Sequence, residues 1–233
     1  MSKEFRIVAE GEYPASPDRV WEAVTTAGAA WLFPTDGMVG EELVVERPRH
    51  HINRMEGPDG WFNELEQVIE DRPGGRAYMR WVHSGVLGDE DWETQYDGAS
   101  KHTSFYLHTL SQYLEHFDGR PVVFADIQGS AASALPDGFD IVRTALGLTA
   151  DSAVGDTLAV TLPGRSAPDA VIDYLSDLFV GLRTDDALLR FFGRNAFGAP
   201  VGITVHHFGE AESEKLAAEW KAWFDGLYVG TTV

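Results

Sequence analysis

Cysteine is absent from all 233 residues. That removes thiol catalysis, Cys-ligated zinc, iron–sulfur clusters and a disulfide framework at once. Positive charge is scarce: 18 Lys and Arg face 37 Asp and Glu, for a formal net charge of −19. Such a surface repels phosphate backbones and anionic lipid, so no nucleic-acid partner and no membrane-surface role are expected. Long apolar runs are missing too, so no segment is expected to span a bilayer. The start, Met1-Ser2-Lys3-Glu4-Phe5, lacks the apolar stretch of a secretory signal, and a cytoplasmic location is the expectation. What is present is an ordinary globular mixture, 44% hydrophobic and 24% charged, which excludes wholesale disorder and a collagen-like repeat. Thirteen Phe, seven Trp and seven Tyr are enough large rings to fill a core or line a pocket.

Periodicity divides the chain into short elements. Residues 5–13 alternate, with Phe5, Ile7, Ala9 and Tyr13 facing one way and Arg6, Glu10 and Glu12 the other, the pattern of a half-buried strand. Ser16 and Pro17 suit the cap and first position of a helix, whose apolar stripe is Val20, Trp21 and Val24. Residues 39–47, 61–70 and 76–83 read as further strands. The turn Asp71-Arg72-Pro73-Gly74-Gly75 makes 61–83 a hairpin. Residues 85–100 are glycine- and acid-rich and read as a loop carrying Trp92 and Tyr96. From Lys101 to Phe117 the period becomes helical, with Tyr106, Leu110, Tyr113 and Phe117 on one face. Asp118-Gly119 ends it as a glycine C-cap does.

The second half follows the same order. Residues 121–128 read as a strand, a short helix opens at 134–137, and strand-like segments follow at 154–163, 169–175, 178–183, 187–192 and 201–208. A last helix covers 212–225. Three phrases recur in sequence: ASPD/ALPD, VGEELVVERP/VGDTLAVTLP and FDG/FDG, at separations of 119, 115 and 107 residues. Recurrence in one order predicts a duplicated fold. The alternative is one module followed by an unrelated α+β extension.

The stretch FRIVAEGEYPASPDRVWEAVTTAGAAWLFP, with FNELEQVIED, VHSGVL and KHTSFYLHTLSQYLEHFDGRP, resembles the helix-grip domains of the START-related superfamily (SRPBCC). Within that superfamily it is similar to the branch named after the C-terminal domain of the heat-shock chaperone ATPase activator. The resemblance covers residues 5–120, and LSDLFVGLRTDDALLRFFGRNAFGAPVG resembles a C-terminal extension of the same subgroup. It implies a curved antiparallel sheet around a long C-terminal helix, with a cavity between them. Relatives use that cavity for lipids, hormones, polyketides or other apolar molecules. Some cyclise polyketides, and others assist a chaperone ATPase. No catalytic set belongs to these motifs, and fold does not choose among the roles.

His50-His51 and His206-His207 are adjacent, and adjacent strand residues face opposite ways. His102 and His108, six apart on a helix, lie on different faces. No metal-ligand spacing exists, so no metal and no cofactor are expected. Glu64, Glu66 and the Asp89–Glu93 cluster fit a solvated acidic surface. Neither a nucleophile elbow nor a phosphate loop is present. What stands out is a set of rings with polar neighbours on inward faces: Trp31, Trp61, Asn63, Trp81, His83, Trp92, Tyr96, His102, Tyr106 and Tyr113. Each alone is more often core than contact, but together they match a pocket lined by rings with a few polar handles.

The reading is an α+β protein of tandem helix-grip modules, 1–119 and 120–233. The expected role is binding a small apolar or aromatic molecule between the sheet and long helix of the first module. Asn63, His83 and His102 would be its polar points, with Trp92 and Tyr96 as a lid. The alternatives are a module docking on a chaperone or other protein, and a cyclase- or hydrolase-like enzyme using His83 or His102 as base.

Overall fold

The computed structural model describes residues 2–35, 40–88, 90–161, 163 and 169–230. The chain divides into two compact units, Met1–Asp118 and Gly119–Val233. In the first, β1 (Ser2–Tyr13) leads to α1 (Pro17–Thr25), then to β2 (Glu41–Glu46), β3 (His50–Glu56), β4 (Phe62–Arg72), β5 (Arg76–Gly88) and α2 (Trp92–His116). The strands form one antiparallel sheet in the order β1-β5-β4-β3-β2. The predicted alternation is visible in β1, where Phe5, Ile7 and Tyr13 are buried while Glu4, Arg6 and Glu12 are exposed. Pro17 occupies the first turn of α1, but Ser16 at the cap position makes no side-chain cap bond. Gly74 and Gly75 carry the β4–β5 turn at φ 82° and 71°, left-handed values that favour glycine.

Helix α2 packs on β1 and β5, and α1 packs on β4 and β5. Beneath them lie Phe5, Ile7, Ala77, Met79 and Trp81, all less than 8% exposed. Within 85–100, expected as a loop, residues 85–88 are the end of β5 and residues 92–100 the first turns of α2. The physical reason is local docking. Trp92 and Tyr96, four apart, stack at 5.0 Å, and Lys3 on β1 sits 3.7 Å over the Trp92 ring. The Tyr96 hydroxyl donates to Arg6 O at 3.3 Å. Contacts of this kind support the first turns of a helix, which are marginal without tertiary packing.

The second unit runs β6 (Val123–Gln128), α3 (Gly138–Ala145), β7 (Thr157–Ala159), β8 (Asp169–Leu175), β9 (Phe179–Arg183), β10 (Ala187–Phe192), β11 (Gly202–His207) and α4 (Ser213–Gly226). Its antiparallel sheet has the order β6-β11-β10-β9-β8-β7. The circuit is the same as in the first unit: the first strand lies beside the last, and the rest run back as a meander. The fold is therefore α+β helix-grip, duplicated in tandem, with one additional strand in the second copy among the described residues. The phrases fall on corresponding elements. ASPD and ALPD lie at the starts of α1 and α3, VGEELVVERP and VGDTLAVTLP cover the edge strands β2 and β7, and FDG lies at the ends of α2 and α4. Val39 and Leu162 lie outside the described residues. The strand expected over 154–163 is reduced to Thr157–Ala159.

The core of the second unit gathers Ile127, Phe139, Val142, Leu182, Ile203 and Phe224. By alternation Arg190 lies on the opposite face of this sheet from that core, where its Nη1 donates to Asp173 Oδ2 at 3.0 Å, both side chains being under 5% exposed. Asp173 sits where β8 slips register, between Ile172 and Tyr174. Gly181 makes the pair possible, because a Cβ there would lie 2.4 Å from Asp173 Oδ1. Among the described residues no helix is long and apolar enough to cross a membrane.

Candidate functional site

Strand alternation fixes which side chains face the helices of the first unit. The ladder sets Ile7 opposite His83 and His83 opposite Leu65; the next row joins Phe5, Gly85 and Asn63. His83 and Asn63 are thus diagonal neighbours on one face, and His83 Nε2 lies 2.7 Å from Asn63 Oδ1. Since that oxygen only accepts, Nε2 carries the proton and donates, and Nδ1 is left as an acceptor. The Phe5 ring meets the imidazole edge-on at 4.9 Å. Gly85 gives it room: a Cβ there would lie 2.8 Å from both Phe5 Cε1 and the Phe62 carbonyl. Burial pushes the His83 imidazole down to about 4, so at neutral pH the ring is uncharged.

The inner face is covered unevenly. Over β1 and β5 it is buried, whereas Asn53, Met55, Asn63, Leu65 and His83 on β3, β4 and the end of β5 are only half-buried. His102 and Tyr106 on α2 are also half-buried. The His102 Nδ1–H donates to Gly98 O at 2.8 Å, and its ring lies 6.3 Å from Tyr106, which in turn is 6.2 Å from Phe33.

The remaining expected residues separate into other settings. Trp31 is 1% exposed, donates its Nε1–H to Ala23 O at 2.8 Å, and packs edge-on at 6.0 Å against Trp81. Tyr113 is buried in α2. Trp61 is 42% exposed and closes the β3–β4 connection, where a Cβ on Gly57 would lie 2.9 Å from its Cε3. It stands before β4 begins, so alternation does not carry it into the site. Trp92 and Tyr96, expected on a loop as a lid, lie on α2 and anchor it to β1. Glu64 and Glu66 face the other side of the sheet, beside Arg54 and Arg80.

Two features escaped the sequence reading. His51, expected only to face away from His50, is buried and pairs its Nδ1 with Gln67 Oε1 at 2.8 Å, a second imidazole–amide pair on the inner face. In the second unit an open cleft of about 540 Å³ is bordered by Thr144, Leu146, Ala159, Val160, Trp223 and Leu227. Its signal was available: Leu216, Trp220, Trp223 and Leu227 trace a stripe at helical spacing.

No family model matches the chain, and no curated protein matches it. Solved structures do. The protein MLL2253 from Mesorhizobium loti is 20% identical, with 49% of this chain and 99% of that chain covered and a TM-score of 0.39. The Aha1 dimer from Colwellia psychrerythraea is 16% identical over 49% of this chain and 99% of its own, at a TM-score of 0.40. DynU16, a protein of the dynemicin biosynthetic locus, is 13% identical over 97% of both chains, at 0.34. These are similarities and nothing more; the helix-grip fold rests on the strand order given above.

As chemistry, the His83–Asn63 pair recognises better than it reacts. A general base is most effective with a pKa near the working pH, and a desolvated imidazole titrating near 4 takes protons poorly at pH 7. It remains a good hydrogen-bond acceptor.

Proposed function

We propose that the first unit binds a small apolar or aromatic molecule between the inner face of its sheet and α2. The observation that supports this is the uneven cover of that face. Where α2 meets β1 and β5 the side chains are sealed, but toward β3 and β4 rings and amides stay half-buried. Small-molecule sites have this composition, mostly apolar walls with a few placed polar groups. Phe5 and Trp81 are the walls, and His83 with Asn63 is the polar point.

The test is titration of the full chain with naphthalene, followed by tryptophan fluorescence and thermal unfolding. The expected result is saturable quenching with a rise in Tm, worth about 2.7 kcal/mol at a hundredfold excess over Kd. The variant Ala159→Trp, which fills the cleft of the second unit at an exposed position, should leave the response unchanged. No saturable response from the wild type, or one abolished by Ala159→Trp, contradicts the proposal.

A further inference from the structure

We propose that the molecule held by the first unit is an uncharged aromatic bearing a hydroxyl group, and that this hydroxyl donates to His83 Nδ1. The inference rests on the binding reading above and adds the chemical class. The amide of Asn63 sets the tautomer, because its Oδ1 engages Nε2 and so assigns the proton to that nitrogen. Nδ1 makes no hydrogen bond among the described residues and is not among the polar atoms sealed from the surroundings. The ring therefore offers one acceptor and no further donor. A ligand carbonyl, ether or carboxylate would set lone pair against lone pair there, whereas a hydroxyl complements it.

Charge points the same way. The sheet arginines Arg54, Arg72, Arg76 and Arg80 lie on the opposite face by alternation, each beside a glutamate. Lys3 faces inward but is held over Trp92, four residues along β1 from Ile7, the partner of His83; that is about 13 Å. An anionic ligand would lose its hydration with none of these cations to meet it. The aromatic part follows from the walls: Phe5 stands 4.9 Å from the imidazole, and Trp81 shares the inward face of β5 two residues before it.

Three probes separate the possibilities: β-naphthol, its methyl ether and β-naphthoate, each titrated into the full chain by calorimetry at pH 7. β-Naphthol should bind about tenfold more tightly than the ether, the worth of one well-made hydrogen bond, and naphthoate more weakly than either. In His83→Phe the two neutral probes should converge to within about twofold. Because that variant could fold poorly, the nitrogen resonances of the wild-type imidazole give a second readout. The Nδ1 signal of His83 should move with β-naphthol and stay in place with the ether. Equal affinities for the neutral probes, an unmoved Nδ1, or preference for naphthoate overturns the hydroxyl assignment while leaving the binding reading intact. Binding of none of the three overturns that reading itself.

Discussion

A single imidazole joins the stability of the first unit to its chemistry. Burial holds the His83 ring down to about 4 in the folded chain, against 6.5 in an open one. As pH falls the unfolded chain takes up the proton first, so the contribution of His83 is complete above about 6.5. It is lost between there and about 4, by about 3 kcal/mol in all. Urea unfolding of wild type and His83→Phe at pH 7 and at pH 4.5 should show the wild type losing more stability than the variant. Equal losses would mean that His83 is not desolvated. The partnership with Asn63 was half legible in the sequence. Both residues fall on the inward parity of a hairpin whose turn, Pro73-Gly74-Gly75, is plain. Their contact is diagonal, however, and depends on register, which the turn fixes only once its glycines adopt positive φ. Trp61 shows the opposite case: it fits the alternation, but β4 starts one residue later and the residue stays 42% exposed beside Gly57.

Among the elements, α2 was legible from Lys101 onward because its apolar residues recur at helical spacing. Its first turns were not. Thr94, Asp97 and Gly98 have weak helical preference, and what helps to hold them is tertiary: the stacked Trp92 and Tyr96, the Lys3 ammonium and the Arg6 carbonyl. Trp92→Ala should therefore fray this end without unfolding the sheet. Hydrogen exchange should show amides before Gly98 losing protection while those from Phe105 to Tyr113 keep theirs. Uniform loss along the helix would contradict the anchoring role. The edge strands were legible in place and overdrawn in length, at Glu41–Glu46 and Thr157–Ala159.

For the molecule as a whole, duplication was readable because the recurring phrases sit at helix starts, edge strands and helix ends, where local rules are strictest. The polar interior of the second unit was not readable, since nothing in sequence announces that Arg190 and Asp173 meet. Removing one partner of such a buried pair costs about 3–5 kcal/mol. Asp173→Ala should lower the stability of the second unit by that order in urea unfolding, and a loss below about 1 kcal/mol would show the pair to be dispensable. Arg190→Met with Asp173→Leu should recover much of the loss.

The central claim is that a small aromatic molecule lies against the inner face of the first sheet. Intermolecular NOEs from bound β-naphthol, measured on the isotope-labelled full chain, test it most directly. The account predicts cross-peaks to Phe5, Trp81 and the His83 ring carbons. Cross-peaks confined to Trp223, Leu227 and Val160, which border the cleft of the second unit, would contradict it.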